Sequence, residues 1–462
     1  MGLLIVSTVN VIAQNVVINI KTDNLKGKEV RVSCIDDRLT MHSEELFRHN
    51  VEQEEDFLDV KFTVDGIKEV SLRVDWHEFT FLAVPGNNYY INVLSYDDTL
   101  SSYIRIEPLP VRFSSDKDDG VNYGLEDIYV CLSDFIAQNL RRLSVKDSLC
   151  SVMLDKLQDS LLNEYGKSDY LKQYIRYEFA SVRYCFSLIS QSKIRYSLFG
   201  NEDILYDNIG YTECFNTVFS SYFTKGYKYI GKKDIENWLD ARDYDKFNDA
   251  LGRDSVLKNE LFREFVFLSG MKDAYLNGDF SRSAILVMLD VFKNKTKFER
   301  HRQMADNLAK YLKSRDFGGT EIKDFDVKDI NGDIVSTKQY RDKQLLVNFV
   351  KLDNIPSLKE LEVINFYYDS IKDNCNVLTV CFDSNFEKMY NFIKNGKIGK
   401  KYQWPIVYFD NNWEMAEFYQ IHFFPQFVLV DKDGTIIKNP VESPSLGGLK
   451  EFINSGTNKQ KR

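Results

Sequence analysis

The chain has 462 residues, of which 44% are hydrophobic and 14% aromatic, with only 8 Pro and 23 Gly. This composition excludes a disordered or collagen-like chain, and at roughly 150 residues per domain it implies about three domains. The formal net charge is −9 and no basic run occurs outside the tail from Lys459 to Arg462, so there is no general attraction to phosphate backbones and nucleic acid is not expected as a partner.

Residues 1–13 form an apolar run ending at Val11-Ile12-Ala13, with small residues placed as a signal peptidase requires and polar Gln14-Asn15 following. The run reads as a secretory signal spanning residues 1–14. It lacks a basic n-region, so a first β-strand is the alternative reading. No other stretch reaches the roughly 18 apolar residues of a membrane span, so no transmembrane helix is expected after signal removal. The expected location is periplasmic, or otherwise cell-envelope or secreted.

Residues 15–115 read as short alternating runs. Leu58, Val60, Phe62 and Val64 alternate with Asp59, Lys61 and Thr63, and Tyr89, Ile91 and Val93 alternate with Tyr90 and Asn92. With Val84-Pro85-Gly86-Asn87-Asn88 as a turn, an antiparallel β-sandwich is expected. Trp76, His77, Tyr89 and Tyr90 are candidates for an exposed aromatic patch that would bind a glycan or peptide. The competing reading is that these aromatics fill the sheet core.

The polar segment 114–120 ends this region, and over residues 121–314 the period becomes helical. Stripes run through Leu125, Ile128, Cys131, Leu132, Phe135, Ile136 and Leu140, then Ile175, Phe179, Val182, Phe186 and Ile189, then Leu261, Phe265, Leu268 and Tyr275. An all-α region with an aromatic core is expected. The segment Gly226-Tyr227-Lys228-Tyr229-Ile230-Gly231-Lys232 imitates a phosphate-binding loop, but Lys233 stands where Ser or Thr must reach magnesium, so it is rejected as one.

Residues 318–459 change period once more. Strands are expected around 325–330, 345–350, 377–382 and 426–430, a helix over 357–372 with Leu358, Leu361, Ile364, Tyr368 and Ile371 on one side, and a hairpin turn at Asp431-Lys432-Asp433-Gly434. This is an α/β pattern. The seven cysteines, Cys34, Cys131, Cys150, Cys185, Cys214, Cys375 and Cys381, contain no Cys-x-x-Cys and no zinc-ligand spacing, so neither a metal nor another cofactor is expected. Cys131 and Cys381 lie on apolar stripes and read as small buried hydrophobes.

Three pieces of this last region resemble the thioredoxin-like domain of the TlpA/ResA group of exported thiol-disulfide proteins. They are Phe325-x-Val327-x-Asp329-x-x-Gly332, Leu345-Leu346-Val347-Asn348-Phe349, and Tyr419-x-Ile421-x-x-x-Pro425-x-Phe427-x-Leu429-Val430-Asp431-x-Asp433-Gly434-x-Ile436. The preceding regions are similar, more weakly, to accessory regions of Bacteroidetes envelope proteins. The resemblance implies a Cys-x-x-Cys after the strand at 345–349, at a helix start that lowers the first thiol's pKa. Here those positions hold Asn354 and Ser357, with Pro356 between them, so the elbow keeps its shape signals and loses both sulfurs. Asn354 suits an N-cap and Pro356 a first helical turn.

The resemblance also makes Pro425 the family's cis-proline, lying against the elbow, with Phe424 presenting backbone groups to an extended peptide. A role in which Pro425 only shapes the strand start stays open. His422 is the histidine nearest the elbow by this geometry and reads as a loop residue. The expectation is a redox-inactive, thioredoxin-like envelope protein with a protein or extended-peptide partner and no catalytic residue. The alternatives are an oxidoreductase working through Cys375 or Cys381, and ligand binding through the sandwich.

Overall fold

The computed structural model describes residues 14–52, 57–75, 77–95, 107–117, 120–200, 203–226, 230–315, 320–383, 386–395, 402–410, 412–421, 423–447 and 449. The expected signal at residues 1–13, Trp76 and His422 lie outside them. In chain order the strands and helices are β1 (Gln14–Lys21), β2 (Glu29–Asp37), β3 (His42–Asn50), β4 (Phe57–Val64), β5 (Lys68–Val74), β6 (His77–Ala83), β7 (Asn88–Val93), β8 (Glu107–Pro108), β9 (Val111–Ser115), α1 (Val121–Ser144), α2 (Ser148–Tyr165), α3 (Asp169–Cys185), α4 (Gln191–Phe199), α5 (Ile209–Val218), α6 (Lys232–Ala241), α7 (Tyr244–Leu251), α8 (Glu260–Asn277), α9 (Arg282–Lys295) and α10 (Glu299–Arg315). There follow β10 (Asp326–Asp329), β11 (Ile334–Ser336), β12 (Gln344–Val350), α11 (Ile355–Ile371), β13 (Cys375–Cys381), α12 (Phe386–Asn395), β14 (Ile406–Tyr408), α13 (Trp413–Phe418), β15 (Gln426–Val430) and β16 (Ile436–Lys438). Among the described residues no helix is long and apolar enough to cross a membrane.

Chain contacts divide the protein into two compact units, one of Met1–Val74, Glu78–Leu94 and Leu109–Lys313, the other of Asp75–His77, Ser95–Pro108 and Ser314–Arg462. In the first unit, one sheet has the order β4-β1-β7-β9, with β1 antiparallel to β4 and parallel to β7, and β7 antiparallel to β9. A second sheet places β3, β2, β5 and β6 side by side, antiparallel where β2 meets β3 and β5. The alternation of β7 turns Tyr89, Ile91 and Val93 inward. Tyr89 is therefore no part of an exposed patch: it is fully buried, its hydroxyl donating to the Leu82 carbonyl at 3.2 Å and accepting the Val84 N–H at 2.8 Å. His77 is buried as well, and Tyr90 is exposed.

The helices that follow bury the expected stripes with one slip of register. On α1, Ile128 and Leu132 are buried, but Leu140 is exposed while Asn139 and Leu143 turn inward. At 3.6 residues per turn, the inward line from Leu132 through Ile136 reaches 139 and 143 rather than 140. Cys131 is half-buried rather than part of the core. The aromatic packing of α4, α5 and α8 is dense: Phe215 stacks on Phe265 at 4.3 Å, and Phe199 meets Phe219 edge to face at 5.5 Å.

The second unit is built on a seven-stranded sheet of order β11-β10-β14-β13-β12-β15-β16. Strand β12 lies in its interior beside the middle strand β13, to which it is parallel, and is antiparallel to β15. Its residues after Gln344 are all buried because both faces are covered. Leu345, Val347 and Phe349 enter one core with Phe382, Tyr419 and Phe424, and Leu346 and Val350 enter another with Leu361 and Ile364 of α11. The β15–β16 hairpin closes at Gly434, whose φ of +89° is a conformation glycine adopts without a Cβ penalty.

Candidate functional site

The chain leaves the C-terminal end of β12 at Lys351 and starts α11 four residues later. Asn354 has the extended backbone of an N-cap, and its Oδ1 accepts the Ser357 N–H at 3.2 Å while its carbonyl accepts the Leu358 N–H at 3.1 Å. Pro356 occupies the first turn, where no preceding turn offers its nitrogen a carbonyl. Asn354 and Ser357 are buried, while Ile355 and Pro356 between them face solvent.

The segment before β15 closes the site from the other side. The Phe424–Pro425 peptide bond is cis. The Phe424 ring packs 5.2 Å from Phe382, and its carbonyl accepts a hydrogen bond from Asn354 Nδ2 at 3.5 Å. The fold thus gathers Asn354, Pro356, Ser357, Phe424 and Pro425 in one place. The Ser357 hydroxyl turns inward and accepts the Lys351 N–H at 3.4 Å.

Two acids that escaped the sequence reading border this elbow. Asp383, just beyond β13, is buried and accepts the Leu352 N–H with both oxygens, at 3.3 and 3.1 Å. Burial pushes its carboxyl up to about 6, against the Leu352 hydrogen bond, and nearby Asp353 raises it further while Lys388 and Lys351 lower it. A carboxylate directly after the apolar run ending at Phe382 was the available signal, since the carboxyl ends of parallel strands line the functional edge of an α/β sheet. Glu360, one turn into α11 from Ser357, accepts from both the backbone N–H and the hydroxyl of Ser445. Its spacing on an apolar helix carried no such signal.

All seven cysteines are free thiols. Cys375 and Cys381 lie within β13, and both are buried. Burial pushes the Cys375 thiol up to about 12 and the Cys381 thiol well above its ordinary value. Neither is part of the elbow.

Residues 319–439 match the AhpC/TSA family. They form a thioredoxin-like domain, with β12 inside the sheet, α11 starting just after it and a cis-proline before β15. Among curated proteins, this AhpC/TSA-type domain is similar to the thiol-disulfide oxidoreductase ResA of Bacillus thuringiensis, 24% identical over 136 residues that cover 29% of this chain and 76% of the relative. Among solved structures, it is similar to the thioredoxin domain of a thiol-disulfide oxidoreductase from Bacteroides vulgatus, with 23% identity, a TM-score of 0.26, and coverage of 31% of this chain and 98% of that one. A thiol:disulfide interchange protein from a Bacteroides species gives 24% identity, a TM-score of 0.25, and coverage of 30% and 90%.

Proposed function

We propose that this is an exported, redox-inactive thioredoxin-like protein that binds or scaffolds a protein or peptide partner in the cell envelope. The carrying observation is the elbow itself, where Asn354 and Ser357 stand at the helix start and neither offers sulfur. The ResA relatives are named thiol-disulfide oxidoreductases. That chemistry needs a thiolate to attack and a second sulfur to resolve the mixed disulfide, and an amide and a hydroxyl supply neither. A Ser357 nucleophile would need an activating base, and its hydroxyl is turned inward onto the Lys351 N–H.

Cys375 and Cys381 are poor substitutes, since burial keeps both protonated and away from a substrate disulfide. In this reading the apolar run at residues 1–14 is an export signal, residues 15–115 form a sandwich, 121–314 a helical domain and 318–459 the thioredoxin-like domain. The partner surface at the elbow is its outer turn, formed by Ile355, Pro356 and Phe423, all exposed. Insulin disulfide reduction by the full chain with dithiothreitol tests the reading. No acceleration over reductant alone is expected, and turnover that Cys375→Ser or Cys381→Ser abolishes would replace it with the oxidoreductase alternative.

A further inference from the structure

Strand β9 ends the four-stranded sheet of the first unit, and among the described residues no strand lies beyond it. The direction of its backbone groups follows from its bonds to β7: the Asp116 N–H donates to the Asn88 carbonyl at 3.0 Å, and the Pro110 carbonyl accepts the Leu94 N–H at 2.9 Å. Backbone groups of alternate residues point to opposite sides of a strand. Those of 110, 112, 114 and 116 therefore face β7, and those of Val111, Phe113 and Ser115 face the outer edge. These three residues, together with Ser114, line an open cavity of about 720 Å³, within the range of ligand sites.

The first turns of α1 line the same cavity, together with Phe79 to Leu82 of β6. Tyr123 and Tyr129 are 68% and 64% exposed, and exposed Glu126 lies three residues from each. Among the described residues no Lys or Arg lines the cavity, and Glu69, the other acid among them, is engaged by Arg38. Tyrosine faces beside an unneutralised carboxylate attract a cation. A strand edge supplies backbone hydrogen bonds to an extended chain and leaves specificity to the side-chain pockets beside it.

The geometry points to this cavity as a docking site for an extended peptide segment carrying a Lys or Arg, which adds to the outer edge of β9 and lays its cationic side chain between Tyr123 and Tyr129 against Glu126. The proposal shares no residue with the elbow and stands whether or not the elbow is redox-active. The test uses the full chain and fluorescence anisotropy with two labelled hexapeptides, Val-Thr-Lys-Val-Thr-Val and its Arg counterpart. Their Glu counterpart and forms N-methylated at alternate residues on either edge serve as controls.

Saturable binding of the Lys or Arg peptide is expected, weakened at least tenfold by Glu126→Lys, severalfold by Tyr129→Ala and by the Glu counterpart, and lost when the pairing edge is N-methylated. Glu126 and Tyr129 are on the solvent side of α1, so circular dichroism should show both variants folded. The proposal is overturned if neither peptide binds, or if binding is indifferent to Glu126→Lys and to N-methylation on both edges. Binding of xylohexaose that Tyr129→Ala removes, without peptide binding, would make the cavity a glycan cleft and overturn it equally.

Discussion

The side-chain amide of Asn354 donates to the main-chain carbonyl of Phe424 at 3.5 Å, so a residue at one expected sulfur position occupies the backbone group expected to receive a peptide. The same side chain caps α11 through Oδ1. One amide thus serves two elements, and the two contributions can be separated. Asn354→Ala should cost about 1–2 kcal/mol by losing the cap and leaving the Phe424 carbonyl without this donor. Asn354→Ser, which keeps a capping oxygen but cannot reach as far, should cost less. Urea denaturation of both variants checks this, and equal losses would mean that only the bridge to Phe424 matters.

Thiol accessibility gives a second expectation. Cys185 is exposed, whereas Cys150, Cys214, Cys375 and Cys381 are buried. In the native protein a thiol-specific aromatic disulfide should label Cys185 first, and Cys375 and Cys381 only when urea opens the second unit. Mass spectrometry of the labelled peptides reads the order. Rapid labelling of Cys381 in buffer would show that β13 opens readily and would bring the oxidoreductase alternative back.

What could be read from the sequence followed local pattern. Leu345 to Phe349 and Phe427 to Val430 are apolar runs bounded by turn residues, and they emerged as the paired strands β12 and β15. The inward positions of β7 were equally legible: the alternation that buries Ile91 also buries Tyr89, in line with the core-filling reading and against its place in an exposed aromatic patch. What stayed hidden depends on residues far apart in the chain. Nothing in the sequence marks His301, which is fully buried between Glu264, 2.9 Å from Nδ1, and Tyr206, 2.7 Å from Nε2. No spacing joins positions 206, 264 and 301. The same holds for Asp383, whose role is set by the Leu352 N–H reached through sheet pairing.

The carboxyl of Asp383 gives a pH dependence with a definite sign. Its folded pKa, about 6, lies above the ordinary value of 3.8, so between these values the folded state binds more protons than the unfolded state. Stability from this group is therefore full below about pH 4 and is lost as pH rises through about 6. The whole difference amounts to up to about 3 kcal/mol. Asp383→Asn keeps an oxygen for the Leu352 N–H and removes the titration. Relative to wild type, it should be more stable at pH 7.5 than at pH 4.5 in urea melts. A difference between the two proteins that does not change with pH would show that Asp383 is solvated in the folded state.

The elbow also permits a test by gain of function, because positions 354 and 357 stand one turn apart at the start of α11. A thiol at 354 would sit at the N-terminus of α11, where the unpaired N–H groups of the first turn and the helix dipole stabilise a thiolate. A second at 357 would lie one turn further, at the spacing of the Cys-x-x-Cys that the resemblance implies. Asn354→Cys with Ser357→Cys should therefore close a disulfide under mild oxidation, seen as a 2 Da mass loss (two hydrogens) and two fewer titratable thiols after denaturation. It should also gain measurable insulin reductase activity over wild type. Activity should remain modest, because buried Asp383 is held by Leu352 rather than poised toward the new sulfurs, and because the Asn354 bridge to Phe424 is lost with the amide. Each single variant should gain nothing, since one sulfur can form a mixed disulfide but has no partner to release it. A double variant that folds and keeps both thiols reduced under an oxidant that pairs Cys-x-x-Cys thiols elsewhere would show that the two positions do not face one another, and would remove the elbow's claim to be a former redox site.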